Sequence, residues 1–423
     1  PAYSVLGRSI VPSADEGIGG SHPAPIIAAD IATVTLYRGA ILQNNCSEYS
    51  EEMKEQAGDF DTRGGAVFLW FSNLFIHGAT LRNNQADKGG AVAAMGDCEV
   101  EMTDGEISGN YATKTGGGLC QSQDYSDTTI TFRISGGTIK NNSAGSHGGG
   151  IYAQTSVGTG KLFLSGTTKV LGNRVEGITY HYVSHAGGVA ADGISSGDVK
   201  ISDSVMIVGN TGLDADTGEL NNSNLHIYQP SYSDEYQYDL SKDAKIGVSI
   251  FKDILYSDLL VIYVGDKIKE YKSCFFSDDP EYYIGDFYNQ YVTTNPRGLC
   301  LKKGTEPGAI KILAQPKAPD NYPEDRRLEL KASGTGLSYQ WYRYNEKKEQ
   351  YTAVTGPSGD PGYTLPKGLS GDQFYYCKIT DQNRNSVTTN LVYLSAPTTA
   401  SEPDTQAPVG TIRIGEQTWD KLG

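Results

Sequence analysis

A short pattern of apolar and polar positions recurs six times in the first half of the chain. Each copy places an apolar residue three positions before an asparagine, and the asparagines are separated by 39, 26, 32, 31 and 37 residues. Spacings in this range indicate stacked structural units, none of which can bury its apolar face alone. The six pairs are Leu42 and Asn45, Leu81 and Asn84, Ile107 and Asn110, Ile139 and Asn142, Val170 and Asn173, and Ile207 and Asn210.

Other positions recur in phase with these pairs. A second apolar residue lies eight or nine positions before the asparagine, and a diglycine followed by an apolar residue comes after it. The short apolar runs are typical of β-strands, and no stretch has a helical period long enough for a crossover helix. The second apolar set is Ile76, Met102, Ile134, Leu164 and Ile201, and the diglycines begin at Gly64, Gly89, Gly116, Gly148 and Gly187.

Strands and turns repeating without helices predict a parallel β-helix. Each strand would pair with its copy one coil away, about 4.8 Å along the axis. Like side chains then stack, with apolar columns inside and the asparagine at a corner, its amide bonded to the next coil. The diglycines let the chain bend where a Cβ atom would clash. A β-sandwich with coincidentally similar turns is the alternative.

The repeat resembles the glycine-rich β-helix repeats of surface and secreted proteins from gut Firmicutes. The best match is the segment GGTIKNNSA from Gly136 to Ala144, which runs on to Gly148 and the sequence GGGIY. This resemblance implies a right-handed coil. The chain also resembles chlamydial-type autotransporter passengers, more weakly, since two GGAV copies are present but the FxxN element is missing.

The same resemblance extends to the closing region, residues 224–304. This region contains the segments NLHIY, AKIGV and FFSDD, which are similar to those with which such helices end. We expect it to continue and cap the β-helix, because an open last coil would expose unpaired strand edges. Residues 1–30 are expected to form a lead-in or N-terminal cap, and residues 31–223 the coils.

Residues 309–396 have a different sequence pattern and resemble an immunoglobulin-like sandwich. Trp341 occupies the central tryptophan position, and Tyr375 stands two residues before Cys377. The first cysteine of that family would fall at Leu330, so its disulfide is absent. Residues 397–407 form a Pro/Thr/Ser-rich linker, and residues 408–423 resemble the truncated start of a further immunoglobulin-like domain. The expected fold class is therefore all-β: a right-handed parallel β-helix, or solenoid, followed by an immunoglobulin-like β-sandwich.

The composition disfavours nucleic acid and the membrane interior as partners of this chain. A net charge of −15 disfavours nucleic acid as a partner. The apolar runs are far shorter than the roughly 20 residues that span a bilayer, so no membrane insertion is expected. The six cysteines contain no C-x-x-C motif. A bridge between Cys274 and Cys300 is one option, and lone buried thiols are the favoured one.

Loops that interrupt a repeat gather on one face, which is often functional. Three long inserts follow repeat asparagines, at residues 46–63, 174–186 and 211–223. Aromatic side chains beside carboxylates suit sugar binding, so the second and third inserts are the candidate ligand site. A solvated loop, a calcium site that includes Glu219 and a zinc site are alternatives. The candidate ligand-binding residues are Tyr180, His181, Tyr182, His185, Asp214 and Asp216.

Catalytic signals are weak. Many β-helices are polysaccharide lyases or glycosidases, and glycosidic cleavage needs two carboxylates about 5–9.5 Å apart. Asp59 with Asp61, or Asp124 with Asp127, could form such a pair, but the chain has 50 acidic residues. There is no P-loop. No catalytic residue, metal or cofactor is therefore assigned.

The leading hypothesis is a secreted, non-catalytic, adhesin-like cell-surface protein. Its β-helix would bind a host or dietary glycan or a host surface protein, with immunoglobulin-like domains as a stalk and attachment through a further C-terminal region. The alternative is a glycan-active enzyme, a polysaccharide lyase or glycoside hydrolase. A structural spacer without a ligand is the third possibility.

Overall fold

The structure, a computed structural model, is almost entirely β. It describes residues 3–6, 25–47, 61–122, 127–154, 159–178, 186–192, 198–214, 218, 220–227, 237–249, 258–263, 267–279, 281–288, 297–304, 310–345, 350–396, 412–414 and 417–419. The chain divides into two compact units, one formed by Pro1–Ala244 with Asp404–Gly423 and the other by Lys245–Pro403.

The first unit is a stack of coils, each with up to four strands that pair in parallel with their copies in the neighbouring coils. Five of the first strands follow the diglycines: Val67–Trp70, Val92–Met95, Leu119–Gln121, Ile151–Gln154 and Val189–Asp192. Ile27–Asp30 and Leu225–Ile227 are their copies in the outer coils. The second strands are Thr33–Tyr37, the first halves of Asn73–Arg82 and Cys98–Ser108, Thr129–Ile134, Thr159–Leu164, Val199–Asp203 and Gln237–Leu240.

The third strands end two residues before the repeat asparagines, and the fourth strands follow those asparagines. The third strands are Ala40–Gln43, the second halves of Asn73–Arg82 and Cys98–Ser108, Thr138–Lys140, Lys169–Leu171 and Met206–Val208, and Tyr3–Leu6 pairs with the first of them. The fourth strands form a separate parallel sheet: Gln85–Lys88, Tyr111–Thr115, Ser143–Ala144, Arg174–Ile178 and Thr211–Asp214, with Leu220–Asn222 antiparallel at its end. Parallel strands stacked coil on coil fit the predicted parallel β-helix.

The interior columns are those that the repeat predicts. Leu81 lies opposite Ile107, and Ile107 opposite Ile139, and all three are fully buried. The register extends this column to Leu42 on one side and to Val170 and Ile207 on the other. The second apolar set forms a parallel column, Ile76, Met102, Ile134, Leu164 and Ile201. The repeat therefore positions the core, as expected.

The repeat asparagines form a continuous hydrogen-bonded ladder. From Asn110 to Asn224, each buried side chain accepts from the backbone N–H and the Nδ2 of the preceding rung. From Asn84 to Asn210, each Nδ2 also donates to a main-chain carbonyl. The amide thus satisfies polar groups at a corner that solvent does not reach. The ladder runs through Asn84, Asn110, Asn142, Asn173 and Asn210 to Asn224.

The residue before each repeat asparagine has a left-handed backbone. Asn44, Asn83 and Asn141 have φ of 60°, 54° and 53°, and Gly109, Gly172 and Gly209 occupy the same position in the other coils with φ of 63°, 59° and 67°. Only glycine and asparagine adopt this region readily. The turn therefore explains why the pattern allows just these two residue types there.

The second unit is mostly antiparallel. The strand Lys245–Val248 pairs in parallel with Phe275–Ser277, after the short helix Ile268–Tyr271 and the 3-10 turn Lys272–Cys274. Cys274 and Cys300 are buried free thiols. An antiparallel sheet contains Asp258–Tyr263, Tyr282–Tyr288 and Arg297–Lys303.

The remainder of the second unit consists of antiparallel sheets around one core. Trp341, Cys377 and Leu330 are buried together there, with Cys377 as a free thiol. The strands are Lys311–Ala314, Arg327–Leu328, Lys331–Ser333, Ser338–Asn345, Gln350–Ala353, Tyr363–Thr364, Gly371–Thr380, Ser386–Thr388 and Val392–Ala396. Ile412–Ile414 and Gln417–Trp419 form a hairpin that is grouped with the first unit.

Candidate functional site

The three predicted inserts leave the fourth-strand sheet on one corner of the coils, which we call the insert corner. Cys46 and Arg63, at the two ends of the first insert, form bridges to Gln85 and Lys88 of the next coil. The second and third inserts begin on adjacent strands, with Ile178 opposite Asp214. This register confirms the prediction that the second and third inserts begin next to each other.

The predicted ligand-site residues lie outside the part of the chain whose side chains the structure describes. Tyr180, His181, Tyr182, His185, Asp216 and Glu219 lie outside the described residues, and Asp214 is described only as the last residue of its strand. The proposed carboxylate pairs each have one member, Asp59 or Asp124, outside the described residues as well. Within the described ranges, no group of three or more His, Cys, Asp or Glu side chains could hold a metal ion.

The described part of the insert corner contains an ionic cluster built from three coils. The Asp61 carboxylate accepts hydrogen bonds from the ammonium groups of Lys88, at 2.8 Å, and Lys114. Asp87 accepts from the Thr62 backbone N–H and hydroxyl at 2.9 and 3.0 Å, and from the Thr113 hydroxyl. This cluster ties the end of the first insert to the two coils that follow.

Charge pairing governs the titration of Asp61, whose side chain is only 14% exposed. Burial disfavours its charged form, but the hydrogen bonds and charges of Lys114 and Lys88 outweigh burial and lower its pKa below the usual value. A folded-state pKa below the unfolded one gives stability that is present above about pH 4 and is lost as the pH falls through the folded-state pKa.

We therefore expect Asp61→Asn to lower the free energy of unfolding by about 1–2 kcal/mol at pH 7, because two ammonium groups lose their counter-ion. The difference from the unmutated chain should shrink as the pH falls below about 4 and through the lowered folded-state pKa of Asp61. Urea unfolding at pH 7 and pH 3 measures both values. Asp104→Asn is the control, since Asp104 pairs with Arg38 in a salt bridge whose side chains are 53% and 82% exposed. A loss that is equal at both pH values would contradict the ion-pair explanation.

A small cluster of buried side chains lies near these ion pairs and consists of Cys120, Tyr152, Ala186 and Ala190. Cys120 and Tyr152 are register partners, and the Tyr152 ring lies 5.3 Å from that of His147. Desolvation by burial raises the pKa of the Cys120 thiol to about 11 and also raises the pKa of Tyr152. Cys120 is thus protonated at neutral pH and a weak nucleophile.

A second candidate surface lies on the outward side of the second strands, which we call the exposed face. At its N-terminal end, Tyr37 is 67% exposed and its ring lies 6.0 Å from the His77 ring. The Phe75 ring lies 6.3 Å from His77 and nearly parallel to it, at 17°. His77 is fixed by a 2.9 Å hydrogen bond between its Nδ1 and the Thr103 hydroxyl. Three aromatic rings thus line one patch that solvent reaches.

The exposed face becomes ionic toward its C-terminal end. The Arg133 Nε donates to Glu99 at 2.7 Å, and Lys161 pairs with Asp198 at 3.6 Å. Phe163 lies between Arg133 and Lys200, and both cations approach its ring. The sequence pattern missed this surface, although one signal exists. Phe75 and Phe163 are large apolar residues at outward positions of strands whose inward positions are already apolar.

The coils and their ladder define the first unit as a stacked β-repeat protein. A comparison with known families agrees: residues 136–154 are similar to the Chlamydia polymorphic membrane protein repeat, a β-helix-type repeat of autotransporter surface proteins. The matched residues include Ile139, Asn142 and the diglycine at Gly148, but only a small fraction of the chain. No curated protein and no solved structure matches the chain. Among the described residues, no helix has the length and apolar character needed to cross a bilayer.

Proposed function

We propose that this chain is a secreted, adhesin-like cell-surface protein of a gut bacterium, whose right-handed parallel β-helix binds a glycan without catalysis. The repeat of surface proteins at residues 136–154 supports the surface location. The observation that most directly supports glycan binding is the aromatic patch of Tyr37, Phe75 and His77 on the exposed face. Aromatic faces pack against the apolar faces of sugar rings, and a flat sheet surface gives a long ligand room to lie.

The immunoglobulin-like domain at residues 309–396 belongs to the same proposal, as a stalk. In its support, Trp341 lies opposite Cys377 in the register and shares a core with Leu330, the position expected for the missing first cysteine. Tyr375 is fully buried two residues before Cys377. Its hydroxyl makes no hydrogen bond within the described residues, so packing rather than a tyrosine-corner bond supports this assignment.

The full chain should bind glycans on an array, and the bound glycans should release no new reducing ends. Tyr37→Ala should weaken binding about fivefold, since one aromatic contact contributes on the order of 1 kcal/mol. Tyr351→Ala, which removes a half-exposed tyrosine from the second unit, is the matched control and should leave binding unchanged.

Three other outcomes would change the proposal. If Tyr180→Ala and Tyr182→Ala abolish binding while Tyr37→Ala does not, the ligand binds at the insert corner. New reducing ends would make the chain a glycan-active enzyme. If no glycan binds at all, the adhesin function toward glycans is wrong.

A further inference from the structure

Two cations of the exposed face are held by one aromatic ring. Arg133 and Lys200 are the register partners of Phe163 in the two adjacent coils, so they lie on opposite sides of it along the solenoid. The Arg133 Cζ atom is 4.5 Å from the centre of the ring, and the Lys200 Nζ atom is 5.8 Å from it. A cation over an aromatic face is stabilised by the ring quadrupole. Phe163 therefore uses both faces to hold these cations and has no free face for a sugar ring.

These cations retain capacity for an anionic ligand. The Arg133 guanidinium bonds Glu99 only through Nε, which leaves its two terminal nitrogens without a protein partner in the described ranges. The Lys200 ammonium forms no salt bridge to any described residue. Arg133 and Lys200 both lie on an accessible surface, although the chain as a whole has a net charge of −15. Terminal guanidinium nitrogens bind carboxylate and sulfate oxygens in a fork geometry, and an ammonium binds them as a point charge.

The spacing favours an extended polyanion over a single small anion. The two ring distances limit the separation of Cζ and Nζ to about 10 Å, and two coil steps of about 4.8 Å agree with this limit. One carboxylate or sulfate group cannot contact both cations at that distance. A linear chain that lies along the solenoid axis and carries anionic groups at intervals can contact both.

Glu101 limits this anionic site on one side. It is the register partner of Arg133 toward the aromatic patch and makes no hydrogen bond or ion pair with a described residue. Its carboxylate repels anionic groups but accepts hydrogen bonds from sugar hydroxyls. Neutral sugar units therefore fit over Glu101 and the patch of Tyr37, Phe75 and His77. The charged units fit over the segment from Arg133 to Lys200.

We propose that Arg133 and Lys200, positioned by Phe163, bind the carboxylate or sulfate groups of a linear anionic polysaccharide that lies along the exposed face. This inference rests on the proposed glycan-binding function and names the chemical class of the glycan. It assigns Phe163 as a positioning residue.

Calorimetry on the full chain tests it with four polymers: polygalacturonate, its carboxyl-reduced neutral form, dextran sulfate and dextran. We expect at least tenfold tighter binding of one charged polymer than of its neutral counterpart, and weakening as salt rises. A difference within the polygalacturonate pair indicates that the site binds carboxylates, and a difference within the dextran pair indicates that it binds sulfates.

The double variant Arg133→Gln with Lys200→Gln should weaken binding of the charged polymer tenfold or more. Phe163→Leu should weaken it several-fold with both charges intact, whereas a role in packing alone would lower stability without changing affinity.

The control is the double variant Lys169→Gln with Lys378→Gln, which removes the same net charge from positions outside the exposed face. Equal losses in both double variants would reduce the effect to net charge and overturn the inference. If the charged and neutral forms bind equally through Tyr37, the inference fails while the proposed function stands. If no polymer and no arrayed glycan binds, both fail.

Discussion

Asn142→Ala should destabilise the solenoid by about 3–5 kcal/mol, because it removes a fully buried rung from the middle of the ladder. The side chain accepts from the Asn110 backbone N–H and Nδ2 at 3.0 and 2.8 Å. It also donates to the Ile107 carbonyl and to the Asn173 Oδ1, both at 2.9 Å. Alanine leaves the Asn110 N–H and the Ile107 carbonyl buried without these partners, and each such group carries a desolvation penalty.

The neighbouring residue provides a matched control. Asn141 is exposed and has a φ of 53°, and three other coils have glycine at this position. Asn141→Gly should therefore change the free energy of unfolding by less than about 1 kcal/mol. Thermal and urea unfolding of both variants, with amide exchange of the adjacent coils, measure the difference. A loss for Asn142→Ala as small as that for Asn141→Gly would show that the ladder contributes little beyond a turn.

The repeat made the interior predictable because its period fixes the register. Leu81, Ile107 and Ile139 occupy one phase of the pattern, and once strands stack coil on coil that phase can only form a column. The stacking of the repeat asparagines at one corner was predictable for the same reason. A further signal was present and not used: the position before each ladder asparagine is always Asn or Gly, which encodes the left-handed turn.

The candidate sites were less predictable, because they combine side chains whose relative positions the repeat does not set. Asp61 lies at the end of an insert with no counterpart in the next coils, so its pairing with Lys88 and Lys114 could not be derived. The placement of Arg133 and Lys200 on either side of Phe163 depends on the register of three coils, and loops of different lengths separate these coils. From sequence alone, Phe163 between two leucines also resembles a core residue.

The diglycine turns bring the backbones of adjacent coils close together, and a substitution there should have the second large effect. A Cβ atom on Gly149 would lie 2.3 Å from the Arg174 carbonyl oxygen and 2.5 Å from that of Gly187. Both neighbours are backbone atoms of the next coil, so no side-chain rotation can relieve the overlap. The same closeness recurs at Gly90 and Gly117, which shows that the turn is packed backbone to backbone in several coils.

We therefore expect Gly149→Ala to destabilise the solenoid by at least about 4 kcal/mol, or to prevent the coils on either side from pairing. Gly177→Ala is the control on the same corner, since its Cβ atom would meet a single carbonyl oxygen at 3.2 Å, which a small shift relieves. It should cost less than about 1 kcal/mol. Thermal unfolding followed by circular dichroism compares the two variants. Equal melting temperatures would mean that the coils can separate at this turn without cost, and the second glycine would then serve the bend alone.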